Sequence, residues 1–265
     1  MPGYDDLVEH AIQASVRGWD FGWLRGRTTG GQPSWAYTER ASVLLTTTRR
    51  LLDMDTGGGE VLASLAPLPR HTVAMEGWQP NIPIAAERLR PMNVALLGGA
   101  ADRIPARDAT FDLVLNRHGA LDAVEVARVL APGGRLLTQQ VGSRNGLELN
   151  LALGAPPPAD PESWTLGIAV ERLHDCGMLV VDAREEMVDH TFHDIGAVVF
   201  HLRAVPWQAP GFDHKRYEKP LRRLHEHIRS EGAFTVRDHR FFIEAELPRT
   251  RRQGPLGLRT CPHRG

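Results

Sequence analysis

The sequence is short of cysteine, of long apolar runs and of any surplus of charge, and each shortage removes a class of protein. Cys176 and Cys261 are too few and too far apart for a metal knuckle or a disulfide framework, so both are expected as reduced thiols. No apolar run reaches the ~18 residues that a membrane-crossing helix needs. The start, Met1-Pro2-Gly3-Tyr4-Asp5-Asp6, lacks the basic-then-apolar order of a signal peptide, which leads to the expectation of a cytoplasmic protein with no membrane partner. Lys and Arg number 31 against 32 Asp and Glu, so no broad field invites nucleic acid. A chain of 265 residues with 42% hydrophobic content is expected to hold a cofactor domain plus a cap, acting on a small molecule as a monomer or homodimer.

What is present is organised around Leu51–Leu62, Leu-Leu-Asp-Met-Asp-Thr-Gly-Gly-Gly-Glu-Val-Leu. It reads as strand, tight turn, helix. Glycines at such a turn permit positive φ and let a ligand approach the main chain, where unpaired N–H groups of the first helical turn can meet it. About 20 residues on, the apolar run His71-Thr72-Val73-Ala74-Met75 ends in Glu76, followed by Gly77. An acid there is placed to accept ribose hydroxyls in a βαβ unit. A dinucleotide fingerprint would put a small residue three places after Gly59, where Leu62 stands, and Asp53 and Asp55 would repel a pyrophosphate. A ligand with a positively charged end fits better.

At this point the chain resembles the class I S-adenosylmethionine-dependent methyltransferases of small molecules. Their pattern of Asp, any residue, Gly, any, Gly, any, Gly falls on Asp53-Met54-Asp55-Thr56-Gly57-Gly58-Gly59, with Asp55 in place of the first glycine. A second match is Arg128-Val129-Leu130-Ala131-Pro132-Gly133-Gly134. Between them lie Ile104-Pro105 and Phe111-Asp112, where the family has a Leu-Pro and a Phe-Asp pair. The family's usual adenine-binding acid falls on Ala100, which leaves adenine to the Ala101 backbone or Asp102. The resemblance implies S-adenosylmethionine as cofactor and S-adenosylhomocysteine as product, held by Asp53, Asp55, Thr56, Gly57, Gly59, Glu76, Gly77, Ala100, Ala101 and Asn116. It covers residues 45–145 by motif and 165–247 by element order.

Strand and helix alternate over residues 48–142, which predicts a parallel, doubly wound α/β sheet with helices on both faces. The resemblance implies a Rossmann-like sheet of seven strands with an antiparallel last strand, Phe234–Val236 and Phe241–Ala245 being a final hairpin pair. Ser34 is expected to cap a helix from Trp35 to Thr47. The organisation expected is an N-terminal helical and aromatic lid (1–44), a methyltransferase domain (45–247) with a substrate cap mainly at 190–232, and a basic, disordered tail (248–265).

Ligands bind at the carboxyl ends of such strands. Topology therefore places Asn116, Arg117, His118, Gln139 and Gln140 at the mouth where the methyl group would lie. His118 is the candidate base, because imidazole titrates near neutrality. Arg117, Gln139, Gln140, Trp19, Trp23, Trp35, Tyr37, His190 and His193 are the candidate acceptor-side residues, their aromatics favouring a flat, partly apolar acceptor. His190 and His193 with Asp194 would share a face only if that segment were helical; no fourth ligand joins them, and no metal is expected. Two alternatives stay open: an RNA base methyltransferase, which should carry a basic face or a cysteine-bound zinc, and a cofactor-binding protein without transfer activity.

Overall fold

The computed structural model describes residues 2–16, 18–157 and 159–249. In chain order the elements are α1 (Tyr4–Gln13), β1 (Thr28–Gly30), α2 (Tyr37–Leu45), β2 (Arg50–Met54), α3 (Glu60–Ser64), β3 (His71–Glu76), α4 (Ile82–Leu89), β4 (Ala95–Gly98), β5 (Phe111–Arg117), α5 (Ala123–Val129) and β6 (Leu130–Val141). There follow α6 (Leu147–Leu153), α7 (Leu166–Asp175), β7 (Leu179–Phe192), α8 (Ile195–Ala204), α9 (Glu218–Glu231) and β8 (Phe234–Glu246). Hydrogen-bonded strands run in the order β1-β7-β8-β6-β5-β2-β3-β4. The protein is α/β, and the pairs β2–β3, β2–β5, β3–β4 and β5–β6 are all parallel. The chain forms two compact units: one of residues up to Ser34, Val141–Trp164 and Glu186–Arg240, the other of Trp35–Gln140, Thr165–Glu185 and the chain from Phe241.

In the second unit β2 and β5 are buried almost throughout, as central parallel strands must be when helical crossovers cover them. Leu51, Leu113, Leu115 and Leu137 point to one face and pack with Tyr37, Ala41, Leu44 and Leu45 of α2. Those four α2 positions follow the i, i+4, i+7, i+8 spacing of one helical face. The Pro-Gly-Gly motif does not precede β6. It lies inside it, as an irregularity where Phe111 faces Leu130 and Leu113 already faces Arg135. Gly133, at φ 80°, there donates to Leu247 O at 2.6 Å.

In the first unit α1 packs on α8, whose residues are nearly all apolar and buried. Gly196 makes the crossing close: a Cβ on it would lie 2.7 Å from the Leu7 carbonyl oxygen. Asp194 caps α8 by accepting from Ala197 N (2.9 Å) and also pairs with Arg27 (2.8 Å).

Three expectations are corrected, and one condition is not met. The sheet has eight strands among the described residues, because Thr28–Gly30, too short to show a sequence period, pairs antiparallel with the end of β7. The expected final hairpin is one continuous strand, β8, since Arg237-Asp238-His239-Arg240, which would have had to form its turn, stays extended. Ser34 caps nothing: Glu186 takes both its N–H (2.9 Å) and its hydroxyl, and α2 begins at Tyr37 with Ala36 at its N-cap. His190 lies in β7 rather than in a helix, so the i, i+3 placement with His193 does not arise. No helix among the described residues is long and apolar enough to cross a membrane. The basic tail beyond Arg249 and Cys261 lie outside the described residues.

Candidate functional site

The turn after β2 is built from one carboxylate inward. Glu76, at the end of β3 and buried, accepts from Gly57 N (2.7 Å) through Oε2 and from Trp78 N (2.7 Å) through Oε1, with Asn81 Nδ2 at 3.4 Å from Oε2. The turn is thus pinned to the neighbouring strand. Asp55 takes φ 52°, a left-handed conformation that aspartate tolerates better than most residues, and Gly57 and Gly59 take φ 65° and 79°. Thr56 N donates to Met75 O (3.0 Å) and Gly59 N to Thr56 O (3.0 Å). Gly77 cannot be replaced freely, because a Cβ would meet Gly99 O at 2.8 Å. Ala100 and Ala101 follow β4, where Ala100 O accepts from Arg103 N (3.0 Å).

Three carboxylates therefore share a small space, and no basic side chain among the described residues acts on Asp53 or Asp55. Burial, first, pushes Asp53 up to about 7; Asp55 and Glu76 add to the rise, and the nearby Thr56 hydroxyl opposes it without closing a bond of normal geometry. Asp55 is raised to about 6, by burial and then by Glu76, against the Ala120 amide. Among the described residues the buried side-chain polar atoms lacking a partner are Tyr37 Oη, Thr56 Oγ1 and Asn81 Oδ1. All three belong to this neighbourhood: Thr56 beside Asp53, Asn81 on Glu76, and Tyr37 with its phenol raised by burial first and the Asp53 charge second. Buried polar groups are normally satisfied, so a cluster of exceptions marks where an outside partner completes the set.

At the ends of β5 and β6 the two sheet faces differ. Asn116, fully buried, donates to Ala120 O (3.0 Å) and accepts from Thr138 Oγ1 (3.0 Å) and Gln140 Nε2 (2.6 Å). Asn116 and Gln140 thus brace the strand ends together. On the other face Gln139 accepts from Trp35 Nε1 (2.8 Å) and meets His118 Nε2 (2.7 Å). Arg117, opposite Gln139, is half-buried. His118 is exposed at φ 64°.

The structure brings Trp35, Tyr37, Asp53, Asp55, Thr56, Gly57, Gly59, Glu76, Asn116, Arg117, His118, Gln139 and Gln140 into one unit. Trp19, Trp23, His190 and His193 belong to the other. There Trp19 stacks on Phe21 (6.5 Å) and Trp23 on Phe200 (4.8 Å), His190 Nδ1 lies 3.3 Å from Asp238, and His193 Nε2 3.0 Å from Thr29 Oγ1. Asn81 was not legible as a site residue; its only signal is a polar residue just after Pro80, at the start of a helix. The Asp238 partner of His190 was hidden by its 48-residue separation in sequence, 238 minus 190.

A family description, "Methyltransferase domain", matches residues 52–138. About a third of the chain is thus similar to a methyltransferase domain. An uncharacterized methyltransferase of Mycobacterium tuberculosis is 34% identical over 122 residues, 44% of this chain and 49% of that protein. A demethylmenaquinone methyltransferase of Chlorobaculum tepidum is 32% identical over 92 residues, 32% of this chain and 38% of that one. The domain thus spans about half or less of the curated relatives it matches. A solved structure from Bacillus halodurans, assigned as a methyltransferase, shares the fold with TM-score 0.59 at 18% identity, covering 80% of this chain and 97% of its own.

Proposed function

We propose that the chain is an S-adenosylmethionine-dependent methyltransferase acting on a small acceptor. The observation that carries this reading is the convergence of the orphaned polar atoms of Tyr37, Thr56 and Asn81 on a carboxylate-rich turn. A cationic nucleoside suits that turn: Asp53 and Asp55 offset positive charge, and each ionises more readily once it does. Glu76 keeps lone pairs for sugar hydroxyls beyond the two amides it accepts.

Bound there, the cofactor supplies a methyl group already activated on a sulfonium, so the protein's part is positioning and exclusion of water. Trp35 and Tyr37 give the mouth apolar walls. His118 is the candidate base: its Nε2 lone pair accepts from Gln139, and it takes a proton from the acceptor once that bond opens. Support for a small acceptor comes from the near-neutral composition and from the relative named for demethylmenaquinone. Titration calorimetry with S-adenosylmethionine tests the cofactor; absence of heat, or binding unaffected by Glu76→Ala, overturns it. Incubation with methyl-labelled cofactor and cell extract, with and without ribonuclease, tests the acceptor: label in small molecules supports the reading, whereas label in RNA or in nothing overturns it.

A further inference from the structure

Side chains alternate along β5, so Leu113, Leu115 and Arg117 share a face. The first two lie in the core under α2, and Arg117 is the next position, where apolar cover ends. Tyr37 is the first residue of α2, and two residues before it Trp35 bonds Gln139, the register partner of Arg117. Asp53 is on the same face, opposite Leu115.

Arg117 stands out among the half-buried arginines. Arg27, Arg128 and Arg240 each close an ion pair, with Asp194, Glu125 and Asp238. Arg117 closes none, and its guanidinium has no hydrogen-bond partner within the described residues. Burial lowers its pKa, and the one ionisable group set against that is the neighbouring Tyr37 phenol; Asp53 is not among its influences. Tyr37, whose phenol is held protonated, is a buried donor with no acceptor among the described residues.

We infer that Arg117 and Tyr37 together receive a carboxylate, Arg117 through its paired N–H groups and Tyr37 through its hydroxyl. This rests on the methyl-transfer reading and names the anionic chemistry of that site. A guanidinium fork matches a planar carboxylate, and a neutral phenol adds a third bond without adding charge. A dianion such as phosphate is disfavoured, because Asp53 and Asp55 stand in the same unit at the ends of the adjoining strand. A ligand carrying an ammonium or sulfonium near its carboxylate suits both signs at once. The carboxylate comes either from the amino-acid end of the cofactor or from the acceptor.

The experiment titrates S-adenosylhomocysteine, its decarboxylated analogue and benzoate into the wild-type protein, Arg117→Gln and Tyr37→Phe, with thermal melts confirming that each variant folds. If the source is the cofactor, Arg117→Gln weakens S-adenosylhomocysteine about tenfold or more while the decarboxylated analogue is held as by the wild type. If the source is the acceptor, S-adenosylhomocysteine is held as before and benzoate binding to the loaded protein is lost. Tyr37→Phe gives a smaller loss in the same arm. Equal weakening of S-adenosylhomocysteine and its decarboxylated analogue, or no change in either probe, overturns the inference. Should the wild type not bind S-adenosylhomocysteine at all, the transfer reading falls separately. Benzoate binding that depends on Arg117 in the unloaded protein would then still uphold the carboxylate receptor, and its absence would overturn that too.

Discussion

Trp35 donates its indole N–H to Gln139 Oε1 at 2.8 Å, and this one bond decides the state of His118. An indole nitrogen only donates, so the Gln139 carbonyl oxygen must face it and the amide nitrogen must face His118 Nε2, 2.7 Å away. The imidazole therefore accepts at Nε2 and carries its hydrogen on Nδ1, and its one lone pair becomes free for a proton when the Gln139 amide turns away. Nitrogen-15 NMR is expected to show the Nδ1–H tautomer in the wild type and a mixture in Trp35→Phe, where the amide can turn over. A wild-type spectrum dominated by Nε2–H would contradict the geometry. His118→Ala is expected to lower turnover by roughly 10²-fold or more; unchanged turnover removes His118 from the base role.

Glu76→Gln separates the two tasks of that carboxylate. An amide side chain can accept at one atom only, so either Gly57 N–H or Trp78 N–H faces another donor. The loss expected is about 1–3 kcal/mol of stability, read from chemical denaturation, together with weaker S-adenosylmethionine binding in calorimetry. Wild-type stability in this variant would show that the two amides are satisfied elsewhere.

The raised acids give a pH dependence whose sign is fixed. Asp53 at about 7 and Asp55 at about 6 hold protons in the folded protein that the unfolded chain releases near 3.8. Between those values the folded state binds more protons, so the stability these groups contribute is full below pH 4 and is lost as pH rises through 6 and 7. A cationic ligand acts oppositely, favouring the ionised acids, so its affinity should fall as pH drops below about 6 to 7. Calorimetry in buffers of different ionisation enthalpy is expected to show proton release on binding near pH 6.5, roughly midway between the two, diminished in Asp53→Asn. Proton uptake would reverse the assignment.

Gly196→Ala tests the crossing of α1 and α8. The added methyl would sit 2.7 Å from the Leu7 carbonyl oxygen, a backbone atom that cannot swing aside. Overpacking of this kind costs about 1–3 kcal/mol, measurable as a lowered denaturation midpoint, while the glycine turn in the other unit keeps its ligand affinity.

Much of the parallel sheet was legible because its strands are buried and apolar and its helices are set off by Gly and Pro. β3 spans His71–Glu76, matching the apolar run, with Glu76 at its end. What escaped depended on partners distant in sequence. Ser34 reads as a helix cap until Glu186 takes its hydroxyl, and β8 reads as two strands because its polar middle looks like a turn. The site was likewise visible as residue types at strand ends, but not as pairings. Nothing local distinguishes Asn116 and Gln140, which bond each other, from Arg117 and Tyr37, whose side chains lack hydrogen-bond partners among the described residues.

Glu76 also has a kinetic consequence. Its two oxygens tie the glycine loop to the segment that opens at Trp78, so the receptacle proposed for the nucleoside is assembled by the chain's own bonds. Little ordering is left for the arriving molecule to impose. Association should then run at the pace of diffusional encounter, and amide hydrogen exchange at Gly57 should already be slow without ligand.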